Sequence, residues 1–194
     1  MTLFEDQEAV LNDFTARLEK LGIDYMLTSS MAMIIYAMMR MTNDIDIVME
    51  LSYNDADKII KEFEGDYYVP HGRVRDSISR KLMFNLLHQQ TLVKIDCVVR
   101  KDTEFQKAAF SNRKRVSFTD FKIWTISRED LILSKLHWAK TSKSEMQMRD
   151  VASIIRNGYD EKYVEDWAKK LGVEDMLLEC RELLEKNYVD RHDA

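Results

Sequence analysis

The spacing of apolar positions changes along the chain, and each change marks an element. From Leu3 to Leu21, Phe4, Val10, Leu11, Phe14, Leu18 and Leu21 recur at helical spacing, and Gly22 reads as the C-cap. A short strand over 24–28 precedes a methionine-rich helix over 30–39. That helix is apolar nearly all round, which predicts a central, buried position with the methionines as core filler. Alternation then marks a strand over 44–50, in which Ile45 and Ile47 face one way and Asp44 and Asp46 the other. A helix over 54–64 follows, opened by the capping-box spacing of Ser52 and Asp55. Next come a short strand (67–69), a charged helix (71–79) and a hairpin-like pair (82–88 and 91–99). A helix over 102–110 and β-like runs over 114–118 and 121–126 complete this part.

From Ser127 the periodicity is helical only. Ser127 and Asp130 repeat the capping-box spacing. Helices over 127–142, 144–156, 160–171 and 174–188 follow, punctuated by Gly158 and Gly172. The pattern predicts an α+β (mixed α/β) fold: a core over residues 1–126, with a mixed sheet flanked by helices, and a C-terminal helical bundle over 127–194. In the first bundle helix Leu131, Ile132, Leu136, Trp138 and Ala139 define an apolar arc that also holds Lys135. In the second, Met146, Val151, Ile154 and Ile155 define an arc that holds Asp150. A charge on an inward face needs a partner or a function. Lys135 and Asp150 therefore either bridge the two helices or face a ligand.

The candidate chemistry lies in the strands. Asp44 and Asp46 project together, and Asp96 sits in a second alternating run, Leu92–Val99. If these strands pair, three carboxylates converge. They repel one another unless a cation neutralises them, and hard divalent ions with oxygen ligands, Mg²⁺ above all, do so at phosphoryl-transfer sites. Thr28-Ser29-Ser30 lies between a strand and a helix. Such a junction turns backbone N–H groups and the positive helix end outward, which suits phosphate. Lys94 shares the face of Asp96 and either meets phosphate or pairs with an acid.

This order of motifs resembles the nucleotidyltransferase superfamily typified by DNA polymerase β, and within it the small prokaryotic AbiEii-like and aminoglycoside-nucleotidyltransferase-like branches. The residues that carry the resemblance are Tyr25–Ser30, Arg40–Val48, Glu129–Leu136 and Arg149–Val151, and it spans roughly residues 20 to 156. It implies a transfer of NMP from an NTP to an acceptor hydroxyl. A pair of Mg²⁺ ions would be held by Asp44, Asp46 and Asp96, with Asp96 also helping to deprotonate the acceptor. Ser29, Ser30, Lys94 and Lys135 would bind the nucleotide, and Asp150 would assist catalysis or contact it. Arg40 and Thr42 match the segment that shapes the loop before the acids. The AbiEii resemblance also implies a toxin–antitoxin role, with an antitoxin protein as partner. The chain departs from the family at Ser29, where glycine is usual; glycine there tolerates dihedrals that a Cβ penalises. A catalytically weak nucleotide-binding or protein-interaction module on the same fold is the rival reading, and a metal-dependent nuclease shares the acids.

Composition adds bounds. Hydrophobic residues at 45% and charged residues at 32% of 194 suit a globular domain, and no apolar run is long enough to span a membrane. The acidic start and two scattered cysteines fit neither a secretory signal nor a disulfide framework, so a cytoplasmic location is expected. The four histidines (His71, His88, His137, His192) lack ligand spacing. Charge is uneven: residues 71–115 hold eleven Lys/Arg against four Asp/Glu, which leaves −12 on the rest of a chain of net −5. That basic segment is either a solvated face or a surface for polyanions, the NTP itself or an RNA acceptor. Its aromatics (Phe84, Phe105, Phe110) are too sparse to suggest binding by base stacking.

Overall fold

Pairing of β-branched runs far apart in sequence organises the first part of the chain. The computed structural model describes residues 2–37, 42 and 44–189, with side chains through Leu184. In order the elements are α1 (Leu3–Lys20), β1 (Tyr25–Leu27), α2 (Ser29–Tyr36), β2 (Asp44–Met49), α3 (Asp55–Phe63), β3 (Tyr67–Tyr68), α4 (His71–Arg80), β4 (Met83–His88) and β5 (Lys94–Val99). They continue as α5 (Glu104–Ser111), β6 (Lys114–Phe118), β7 (Phe121–Thr125), α6 (Arg128–Ser142), α7 (Glu145–Ile155), α8 (Glu161–Leu171) and α9 (Glu174–Val189). The fold is mixed α/β, as expected. Among the described residues seven strands form one mixed sheet in the order β3-β4-β5-β2-β1-β7-β6. The pairs β2–β5 and β1–β7 are parallel, and the others are antiparallel.

The residues form two compact units, Met1–Met31 with Met41–Thr125, and Ala32–Arg40 with Ile126–Ala194. In the first, the inner faces of β2 and β5 carry Ile45, Ile47, Met49, Ile95, Cys97 and Val99, all buried. Phe14, Phe63 and Tyr67 pack ring against ring, with centroids 4.6 Å apart for Phe14–Phe63 and 5.3 Å for Phe63–Tyr67. Thr2 and Glu5 form a reciprocal capping box at the start of α1. At its end Gly22 takes φ +67°, the left-handed turn that glycine adopts without penalty. In the second unit α6 buries Leu131, Ile132, Leu133, Leu136 and Ala139, α7 buries Val151 and Ile154, and α8 buries Val164 and Ala168. Ser127 caps α6 as its spacing predicts, accepting from the Asp130 N–H at 3.1 Å.

Three local expectations need correction. Asn54, not Ser52, is the N-cap of α3; Asp55 instead reaches back to the Ser52 N–H at 2.9 Å and closes a turn before the helix. Trp138 is 54% exposed and Met146 is exposed too, so neither belongs to an inward arc; Leu133 and Met148 are buried in these helices instead. A helical wheel over a short segment places such flanking positions poorly. In α2 only Ser30 to Met33 are buried, and the expected continuation through residues 38–39 lies outside the described residues.

Ile47 is wholly buried on β2, so Ile47→Ala should cost about 2–5 kcal/mol in chemical denaturation. Tyr53→Ala, at an exposed loop position, should stay within about 0.5 kcal/mol. Equal effects from the two would contradict this assignment of the core.

Candidate functional site

Burial of the apolar members of β2 and β5 forces their polar members onto the other face. The two strands run parallel with Asp44 beside Lys94 and Asp46 beside Asp96. Asp44, Asp46, Lys94 and Asp96 therefore share one face, opposite Ile45, Ile47, Ile95 and Cys97. The Lys94 ammonium lies between two of the acids, 2.9 Å from Asp44 Oδ2 and 3.2 Å from each oxygen of Asp96. Asp96 is only 8% exposed, and a second donor, Asn85 Nδ2 on β4, bonds its Oδ1.

Asp46 is the destabilised member of the group. Burial, reinforced by the charges of Asp96 and Asp44, pushes its carboxyl up to about 6, while a hydrogen bond from the Ser29 hydroxyl and the charge of Lys94 pull the other way. The same charges that raise the Asp46 carboxyl raise Lys94: burial lowers it, but bonds to Asp44 and Asp96 outweigh that and hold the ammonium above its ordinary value. The loop before α2 is tied to the acids by its backbone as well, since the Thr28 N–H donates to the Asp46 carbonyl at 3.0 Å.

Ser29 takes φ +57°. This is the left-handed conformation in which glycine is at ease and a Cβ costs about 1–2 kcal/mol. The chain thus keeps a glycine-type backbone turn with a serine in it, and the hydroxyl gains the bond to Asp46. Ser30 follows in the first turn of α2 and is buried. Thr42 supports the approach to β2: its carbonyl accepts from Gln7 Nε2 at 2.7 Å, and its hydroxyl donates to the Asp44 carbonyl at 3.3 Å. Arg40 lies outside the described residues.

Lys135 and Asp150 occur in the second unit. Lys135 Nζ lies 2.7 Å from Asp150 Oδ2 and 3.1 Å from Gln147 Oε1, with Lys135 2% and Asp150 5% exposed. The inward placement expected from the helical wheel is therefore met by an interhelical ion pair. Sequence reading missed two partners. Gln147 stands three residues before Asp150 on the same helix face, a spacing that could have named it. Asn85 is a polar, strand-averse residue at an outward position of an apolar strand, which was the available signal.

The basic segment looks different once folded. Arg75 pairs with Asp57, Arg80 with Asp76, Lys81 with Asp102, Lys94 with Asp44, Arg100 with Glu50, Arg113 with Asp24 and Arg115 with Glu19. At least seven of its eleven cations thus carry acidic partners, five of which come from outside the segment.

Among the described residues, no three His, Cys, Asp or Glu side chains close together at metal-ligating spacing. The Lys94 ammonium lies between Asp44 and Asp96. The donors themselves suit a hard divalent ion: three carboxylates on one face, one of which ionises only at a cost that added positive charge would relieve. Such an ion would have to displace Lys94.

A family model described as a nucleotidyltransferase of unknown function (DUF6036) matches residues 3–166, most of the chain. The chain belongs to this nucleotidyltransferase family. No curated protein matches it. Among solved structures it resembles an antigenic nucleotidyltransferase-like protein from Paracoccidioides brasiliensis, at 16% identity and a TM-score of 0.54, over 87% of this chain and 90% of that one. It also resembles the antibiotic-resistance factor ANT(2'')-Ia, at 13% identity and a TM-score of 0.54, over 98% of this chain and 99% of that one. At such identities the likeness is one of fold. The family match favours nucleotidyl transfer, with an NTP as substrate. Among the described residues no helix is long and apolar enough to cross a membrane.

The Asp46 shift has a defined sign. The carboxyl ionises near pH 3.8 when unfolded and near pH 6 when folded. Well below pH 3.8 neither state is charged and nothing is lost. Stability then falls as pH rises toward 6, and above that the penalty is complete, at most about 3 kcal/mol. With chelator present, Asp46→Asn should therefore melt above the wild type at pH 8, and the gap should narrow as pH falls through 6 toward 3.8. A variant that melts below the wild type at pH 8 would contradict the assigned strain.

Proposed function

We propose that the chain is a Mg²⁺-dependent enzyme that moves a nucleoside monophosphate from an NTP to an acceptor hydroxyl. The observation that supports this best is the shared face of Asp44, Asp46 and Asp96 beside the left-handed turn at Ser29. The three carboxylates would hold Mg²⁺, which when bound would neutralise charge on the triphosphate. The N–H groups at the start of α2, with the Ser29 and Ser30 hydroxyls, would hold phosphate oxygens. Lys94, exchanging its carboxylate partners for phosphate, would add a cation. As the acceptor oxygen bonds the α-phosphorus, the bond to pyrophosphate breaks and Asp96 takes the hydroxyl proton. Positioning and charge neutralisation supply most of the rate in such a reaction.

Lys135 belongs to the proposal as a triphosphate ligand and Asp150 as the partner that holds its charge. Serving a nucleotide requires Lys135 to leave Asp150 and Gln147. The acceptor is RNA, a protein hydroxyl or a small molecule. An RNA acceptor would draw on exposed cations of the basic segment such as Arg73, Lys101, Lys107 and Lys114. The AbiEii-like resemblance extends the proposal to a toxin opposed by an antitoxin protein. One observation favours a second reading, a nucleotide-binding module of weak activity: Ser29 puts a Cβ where the triphosphate would approach the turn.

The test is incubation with each labelled NTP, Mg²⁺ and RNA, protein or small-molecule acceptors. Transfer of label with release of pyrophosphate is expected, and Asp44→Asn should abolish it. NTP binding without transfer to any acceptor would favour the weak module, and RNA shortening without label a nuclease. For the buried pair, Lys135→Met should weaken NTP binding and take the ammonium away from the buried Asp150 carboxylate, at about 3–5 kcal/mol. Adding Asp150→Leu should restore stability but not binding. Wild-type NTP affinity in that folded double variant would remove Lys135 from the site.

A further inference from the structure

We propose that Asn85 is a positioning residue that fixes the Asp96 carboxylate through its side-chain amide; this rests on the nucleotidyl-transfer reading above. The registers β2–β5 and β5–β4 place Asp46, Asp96 and Asn85 side by side in one row across three adjacent strands. Phe84 and Leu86 are wholly buried, which holds Asn85 on the opposite face with the acids. There its Nδ2 donates to Asp96 Oδ1. An ionised carboxylate only accepts hydrogen bonds, so the amide nitrogen, not its oxygen, must face Asp96.

Two further points separate this from ordinary strand packing. Asparagine is disfavoured in strands, and an exposed position in a six-residue strand would be better served by Val or Thr. A local preference broken beside a candidate catalytic group is where function is expected to outweigh fold stability. The second point is a division of labour. Lys94 serves both Asp44 and Asp96, so it cannot turn to a phosphate without leaving Asp96 short of a donor. Asn85, on the neighbouring strand, supplies a donor that does not move with Lys94. It restrains one carboxylate oxygen and leaves Oδ2 with lone pairs for an ion or for the acceptor's proton.

The experiment compares Asn85→Val, Asn85→Ala and Asn85→Ser with the full-length wild type, using Asp96→Asn as reference. Three quantities are read: melting temperature, Mn²⁺ affinity of the nucleotide-free protein by electron paramagnetic resonance, and kcat and KM for the NTP. Loss of a group that orients a ligand should lower Mn²⁺ affinity and kcat by about 10–100-fold in the Val and Ala variants. KM for the NTP should hold, and Asn85→Val should melt no lower than the wild type. Asn85→Ser, which keeps a donor, should recover part of both losses. Should the Val variant fail to fold, the Ala variant decides on the same readouts. Wild-type Mn²⁺ affinity and kcat in Asn85→Ala, with both lost in Asp96→Asn, would overturn the role of Asn85 alone. Both retained in Asp96→Asn would overturn the carboxylate site itself.

Discussion

The parallel pairing of β2 with β5 is the constraint on which the site depends. One register sets Asp46 against Asp96 and Asp44 against Lys94, and it also sends Ile45, Ile47, Ile95 and Cys97 into the core. A slip of one residue would exchange the two faces, exposing apolar side chains and burying charges. Hydrophobic burial, which is non-directional, thereby imposes a directional arrangement of acids. No attraction among the carboxylates is needed to gather them, and none exists.

That arrangement carries an electrostatic load, and the surrounding residues show how it is carried. Lys94 bridges Asp44 and Asp96, Asn85 bonds Asp96, and the Ser29 hydroxyl bonds Asp46. Even so, Asp46 stays shifted toward its neutral form. Replacing the row by apolar or amide groups would relieve the repulsion, so its presence in this chain argues for a use beyond folding. Ser29 extends the same logic to the backbone. It adopts a dihedral that penalises a Cβ, in a turn anchored to β2 by the Thr28 N–H. Strain in the turn and repulsion among the acids meet at one place, the junction of β1, α2 and β2.

Much of this was legible in the chain because it is local. Period-two alternation marked both acid-bearing strands and their faces, and the strand–helix junction marked Ser29. Whether the two strands were neighbours was not legible, because pairing across some fifty residues leaves no periodic trace. The basic segment misled for the same reason: Glu19, Asp24, Glu50 and Asp57, which pair with its arginines, are remote in sequence. Asn85 went unnoticed because its value lies in facing Asp96 across the β4–β5 pairing, which alternation within one strand does not show. Trp138 was placed inward because a wheel ranks residues by angle and is blind to where the neighbouring helices stop. Lys135 and Asp150 were legible as misplaced charges, and only the folded unit adds Gln147 to them.

The central claim is that the Asp44–Asp46–Asp96 face is a cation site that Lys94 fills until a divalent ion displaces it. A crystal structure with Mg²⁺ and a non-hydrolysable NTP analogue tests it most directly. The account predicts metal density ligated by all three carboxylates, with Lys94 Nζ withdrawn from Asp44 and Asp96 onto a phosphate oxygen. Metal and nucleotide bound elsewhere, with Lys94 still bridging the two carboxylates, would contradict it.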